Sequence, residues 1–170
     1  MKTFQQFIDD IPELDESSMS RIKAQSDKGG TAVMSASRGN LSAKENRARA
    51  KKLDKDIRGK FGKGATKVTG KYDEKDEKTG ETKRVKERSH VIQSGKMGKR
   101  KFKKAVKSLG KKYGQDSVIT QQKGDKSATL KRTRKGGLPK RNIKLGKMRP
   151  GRSGENETQK KGKTFTYDTK

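Results

Sequence analysis

Apolar positions along this chain fall into two helical stripes separated by short strand-like runs. Positions 46, 50, 53 and 57 (Asn46, Ala50, Leu53, Ile57) follow a spacing of 0, 4, 7 and 11. Phe102, Val106, Leu109 and Tyr113 repeat it. Each set therefore shares one face of an α-helix. Ser42-Ala43-Lys44-Glu45 is a capping box: the Ser42 hydroxyl can accept from the third backbone N–H, and Glu45 can reach back. The first helix is expected to run from there to about Arg58, with Arg49, Lys52 and Asp56 on its polar face and Gly59, Gly62 and Gly64 ending it. The second is expected from about Lys99 to Lys112, its stripe surrounded by Lys99, Arg100, Lys101, Lys103, Lys104, Lys107, Lys111 and Lys112.

The strand-like runs are Thr31 to Ala36, Ala65 to Tyr72, Thr82 to Ser94, Asp116 to Thr120 and Ser127 to Lys131. Two of them suit a long hairpin across the charged turn Asp73 to Glu81. Gly124-Asp125 joins the last pair. From Thr133 the pattern dissolves into Arg, Lys, Gly and Pro, and only Lys163 to Tyr167 looks strand-like again. The order predicts a small α/β (α+β) domain over residues 31–132, with two amphipathic helices on a mixed or antiparallel sheet. Residues 17–30 read as a linker and 133–170 as a basic flexible tail.

Composition limits the core. Hydrophobic residues make up 25% of the 170 residues and charged ones 39%, close to the range in which burial no longer offsets ordering entropy. Disordered margins are therefore expected. Cysteine is absent, which excludes disulfides and thiolate metal sites. No apolar run approaches the roughly 20 residues that span a bilayer, and neither basic helix has the broad apolar face of an interfacial one. The net charge of +27 points to a polyanionic partner, bound through phosphates with a steep salt dependence. The candidate contacts are the cations of the second helix together with Arg132, Arg134, Lys135, Lys140 and Arg141. Sparse aromatics argue against a base-stacking platform.

Enzyme chemistry is hard to place. His90 is the single histidine and neighbours Ser89, but adjacent strand residues point to opposite faces, so no nucleophile–base pair forms. A solvated or capped His90 is the expectation. Asp73, Glu74, Asp76 and Glu77 are interrupted by lysine and read as a solvated turn, not a cation site. The glycines of Gly59 to Gly64 follow a helix, whereas a phosphate-binding loop precedes one. No cofactor and no metal is expected. Arg38, Asn46, Tyr72, Glu87 and Gln115 could converge on a polar cleft; Asn46 and Gln115 could equally satisfy buried backbone groups.

The first sixteen residues carry one lysine against five carboxylates, an acidic leader on a basic body. Phe4, Phe7, Ile8 and Ile11 lie at helical spacing and would suit an amphipathic helix docked on the body. Met1-Lys2-Thr3-Phe4-Gln5-Gln6-Phe7-Ile8 also resembles the capsid-targeting sequence of internal head proteins of T-even-type phages, with Phe4 in place of tyrosine and Gln6 in place of glutamate. Ile11-Pro12-Glu13 and Leu14-Asp15-Glu16 resemble the sites that the head protease of those phages cuts, after Glu13 or Glu16. The body resembles a family of small, uncharacterised phage and bacterial proteins. Ser35-Ala36-Ser37-Arg38, Glu45-Asn46-Arg47, Leu53, Val68-Thr69-Gly70-Lys71-Tyr72, Glu87-Arg88-Ser89, Leu109 and Tyr113 to Val118 carry that resemblance, which implies a fold and no activity.

Together these features suggest a non-enzymatic internal virion protein of the prohead core. Its leader would bind prohead scaffold and head protease and be removed, and its body would stay with packaged DNA and enter the host with it. The capsid interior, and the host cytoplasm before assembly or after ejection, are the expected locations. Two alternatives stand beside it: an intracellular, non-specific nucleic-acid-binding protein, and a small enzyme or host-factor inhibitor with a polar cleft.

Overall fold

In the computed structural model, residues 21–26, 28–75, 78–136, 140–151, 156–160 and 163–168 are described. The leader, with Glu13 and Glu16, lies outside them. Residues 21–26 are helical. They lead into β1 (Thr31–Ser35), α1 (Ala43–Phe61), β2 (Thr66–Lys75), β3 (Thr82–Gln93), α2 (Lys99–Lys112), β4 (Ser117–Gln121), β5 (Ala128–Arg132), β6 (Ile143–Pro150), β7 (Asn156–Lys160) and β8 (Lys163–Asp168). The class is α+β, and the strands close into an eight-stranded barrel in the order β1-β3-β2-β7-β8-β6-β5-β4. Every pairing is antiparallel, and β1 sits between β3 and β4. The segment expected to be a flexible tail thus supplies three of the eight barrel strands.

Strand alternation divides the apolar residues between two cores. Ala32, Met34, Ala36, Ile92 and Val118 face outward beneath the helices, where they meet Leu53 and Ile57 of α1 and Phe102, Val106, Leu109 and Tyr113 just beyond and along α2. Val33, Val68, Val91, Met148 and Phe165 face inward and pack with Ile22 of the first helical turn. One end of the barrel is therefore filled.

Local chemistry explains the helix limits. Ser42 accepts from the Glu45 N–H and Glu45 accepts from the Ser42 N–H at 2.8 Å, completing the capping box. Gly62 ends α1 in the left-handed region at φ 70°, its N–H donating to the Arg58 carbonyl. Such a cap strains any residue with a Cβ. Inside α2, Gly110 lies where an added Cβ would stand 2.7 Å from Thr133 Cγ2 and 3.0 Å from Val118 Cγ1, so the helix approaches the sheet this closely because the position lacks a side chain.

The two helices are also joined by charge. Asp56 of α1 accepts from the Tyr113 hydroxyl at 2.6 Å and lies 2.8 Å from the Lys112 ammonium. Lys112 first, and Tyr113 second, hold the Asp56 carboxyl below its ordinary 3.8. A lowered folded-state pKa contributes stability that is present above the unfolded value and lost as pH falls through the folded one. The stability difference between the parent and Asp56→Asn should therefore be constant at neutral pH and shrink below 3.8. Denaturant titrations at several pH values check this; a difference independent of pH would exclude the linkage.

His90 departs from the sequence expectation. It is fully buried on the outer face of β3, between Met34 and Lys67 on the flanking strands. Neither ring nitrogen has a hydrogen-bond partner among the described residues. Burial, more than any neighbour, depresses its pKa, which keeps the ring neutral and lets it act as part of the packing.

Candidate active site

Towards the other end of the barrel small and polar inward residues are interspersed with aliphatic ones, and there the lumen stays open. Val33 and Ser35 of β1, Glu87 and Ser89 of β3, Ser117 and Ile119 of β4, and Gly70, Leu130, Leu145, Thr158 and Tyr167 from the remaining strands border a cavity of about 350 Å³. That volume suits a small ligand. Glu87 is the single carboxylate among the described residues that border it. Its cross-strand partner is Gly70, where an added Cβ would lie 2.9 Å from Ser89 Oγ and 3.6 Å from Glu87 Cγ. A side chain at Gly70 would thus occupy the space beside both groups. Tyr167 stands edge-on to Phe165 with ring centroids 5.9 Å apart, and burial pushes its phenol pKa up, so it remains a neutral hydroxyl.

The loop after β1 forms part of the rim and is held by side chains from both helical regions. Asn46 Oδ1 accepts from the Arg38 N–H at 2.9 Å, and its Nδ2 donates to the carbonyls of Arg38 and Leu41 at 3.0 and 3.3 Å. Gln115 Nε2 donates to the Ser37 carbonyl at 3.0 Å. Ser35 Oγ accepts from the Ser37 N–H and donates to the Arg88 carbonyl. Arg49 Nε donates to the Ala36 carbonyl at 2.7 Å, and Arg38 Nη1 donates to the Gly114 carbonyl at 3.2 Å. Outside this loop lies a groove of about 500 Å³ bordered by Arg38, Asn46, Arg47, Lys86, Glu87 and Arg88. Glu87 borders both spaces.

Four of the five residues expected at a polar cleft therefore gather at one end of the barrel. Arg38, Asn46 and Glu87 border the groove, and Glu87 and Gln115 border the lumen. Asn46 and Gln115 satisfy backbone groups of the rim loop, which is their structural role. Tyr72 pairs with Val85 and Asn156 through the backbone; its side chain lies outside the described set. Among the described residues, no group of three or more His, Cys, Asp or Glu could hold a metal ion.

The basic residues expected to grip DNA do not form one track. The buried stripe of α2 separates Lys103 and Lys107 on one flank, facing β4 and β5, from Lys101 and Lys104 on the other, beside Met97 and Lys60. Lys112 is paired with Asp56, and Arg134 with Asp116. Lys99, Arg100, Lys111 and Lys135 are exposed, as are Lys140 and Arg141, while Arg132 is half-buried.

Residues 32–170 match the model of the S-adenosylmethionine lyase family. The match begins in β1 and runs through every later strand. The chain belongs to the S-adenosylmethionine lyase family. Among solved structures, a phage SAM lyase in complex with S-methyl-5'-thioadenosine is similar, with 16% sequence identity over 70% of this chain and 91% of that one, at a TM-score of 0.36. No curated protein matches. Membership of a lyase family overturns the expectation of a non-enzymatic, DNA-associated internal virion protein. Net charge misled the reading because it reports mostly on solvent-facing side chains, while the candidate site is a cavity whose charged lining residues are Glu87 and Lys71.

Sequence reasoning missed Ser35, Ser117, Leu145, Thr158 and Tyr167 as site residues. A signal was present for two of them. Val33 and Ser35, Val91 and Ser89, and Ile119 and Ser117 are pairs two residues apart, hence on one strand face. Three strands each carry an aliphatic residue followed or preceded by a serine on the same face. That is the pattern of a lumen packed at one end and open at the other.

Proposed function

We propose that this protein cleaves S-adenosylmethionine at a carbon–sulfur bond, within the open end of the barrel. The family match across residues 32–170 carries the reading; the cavity with its single described carboxylate supports it. Lyase chemistry dispenses with water. The balanced step is an internal displacement: a substrate carboxylate oxygen bonds to the γ-carbon, and the γ-carbon–sulfur bond breaks with its electron pair left on sulfur. S-Methyl-5'-thioadenosine and homoserine lactone result, and no proton moves.

That step joins a carboxylate and a sulfonium into two neutral centres. Water stabilises the separated charges more than the transition state, so a lumen walled by Val33, Ile119, Leu130 and Leu145 favours the reaction by excluding it. A carboxylate against the sulfonium would hold the charge that must vanish. Glu87 fits better on the substrate's ammonium, as an anchor that leaves the substrate carboxylate to turn towards the γ-carbon. Ser89, Ser117, Thr158 and Tyr167 supply neutral polar contacts.

Incubating the purified chain with S-adenosylmethionine and following products by mass spectrometry tests this directly. S-Methyl-5'-thioadenosine and homoserine lactone are expected in equal amounts. An elimination product, 2-aminobut-3-enoate, would replace the displacement with a base-dependent step, and no loss beyond the buffer control would overturn the proposal.

A further inference from the structure

On the outer side of the barrel wall, the Lys103 and Lys107 flank of α2 meets β4, β5 and the segment before β6. Lys103 and Lys107 descend from the helix, Lys131 and Arg132 rise from β5, and Lys140 and Arg141 close the far side, around a concavity of about 500 Å³. Six cations border it, with Val118, Thr120 and Asn142, and no carboxylate is among them. The framework is built rather than incidental. Asn142 Oδ1 accepts from the Arg132 N–H at 2.9 Å, and the Arg132 guanidinium donates to the Lys140 carbonyl. These bonds fix the 140–142 segment against β5. Val118 and Lys131 are cross-strand partners, which puts the Lys131 side chain on the outer face, beside the helix. Leu130, its neighbour, borders the lumen.

Crowding exposed cations around the half-buried Lys131 and Arg132 costs free energy unless an anion neutralises them. Burial first, and Lys103 and Lys107 after it, hold the Lys131 ammonium below its ordinary pKa, against the opposing pull of Asp125. We propose that this recess is a binding site for a short chain of phosphates, separate from the lumen. Its concave form suits a compact polyanion that converges with all six cations. An extended nucleic-acid backbone would need a continuous track, and the buried stripe of α2 interrupts one. Guanidinium groups from Arg132 and Arg141 offer paired donors to phosphate oxygens, and the lysines supply point charges.

The test is calorimetric titration of the full chain with sodium tripolyphosphate at physiological salt. One saturable site is expected, weakened by about tenfold or more when Lys103, Lys107 and Lys131 are all changed to glutamine. The triple change Lys51→Gln, Lys55→Gln and Lys101→Gln removes the same charge elsewhere and should leave affinity within about twofold. ATP binding more tightly than tripolyphosphate would assign the site to a nucleotide, and equal or weaker binding to a free phosphate chain. Absence of saturable binding, equal loss in both triple variants, or capture of a short DNA duplex but not of tripolyphosphate would each overturn the proposal. None of these readouts depends on lyase activity, so the recess and the lumen are tested independently.

Discussion

Glu87→Gln is expected to raise KM for S-adenosylmethionine by about 10- to 100-fold, the range set by losing one charge-assisted hydrogen bond, while kcat changes by less than about threefold. The variant keeps the shape of the side chain on β3 opposite Gly70, so circular dichroism and thermal melting should match the parent. The asymmetry follows from the reaction. An anchor on the ammonium binds substrate and transition state alike, which appears in KM. Steady-state kinetics of product formation separate the cases. A loss confined to kcat would place Glu87 at the reacting atoms instead, and unchanged kinetics would remove it from the site.

Phe102→Ala should remove about 3–5 kcal/mol of stability, a large share of the 5–15 kcal/mol that typically holds a domain together. Phe102 is fully buried and stands edge-on to Phe61, ring centroids 5.6 Å apart. On its other side, a Cβ at Gly30 would lie 3.1 Å from its ring. The ring thus joins α2 to the end of α1 and to the approach to β1, and alanine would leave a cavity that three elements cannot close together. Urea titration is expected to show a lower midpoint at nearly unchanged slope. A shift worth less than about 1 kcal/mol would show that the helices rest on the barrel by other contacts.

The helices were legible in the sequence because capping chemistry and a four-residue apolar stripe act locally. Ser42 with Glu45 marks the start of α1, and the Phe102 to Tyr113 stripe marks α2. The first five strands were legible for the same reason, as alternating or apolar runs between glycine turns. β6 and β7 were not. In β6 the register shifts between Ala128 and Thr129 of the partner strand, with Gly146 at φ 90°. The bulge puts Leu145 and Met148 out of phase, so period two fails in the sequence although both side chains serve the barrel. β7 reads Asn-Glu-Thr-Gln-Lys, with no apolar residue at all. Thr158 is buried there, bordering a lumen that tolerates polar groups because it is not packed solid.

The site was half legible. Arg38, Asn46, Glu87 and Gln115 stood out as polar residues that could converge, and they do gather at one end of the barrel. Their division of labour, Asn46 and Gln115 holding backbone while Glu87 faces the cavity, depends on barrel closure, which no local pattern encodes. The internal-virion reading was overturned by the family match over residues 32–170; the thirteen cations it drew on separate onto different faces once α2 is docked.

Closure also sets when the cavity comes into being. β2 finds its second neighbour in β7, and β5 reaches the far wall only through β6 and β8. During synthesis the segment through β5 would present two open strand edges and a half-lined trough, both prone to pairing with other chains. Thr158 and Tyr167 complete the lumen only when these last strands have paired. Until β7 and β8 have paired there is no enclosed lumen, so any activity that depends on it should appear as a single step when these strands dock instead of growing with chain length.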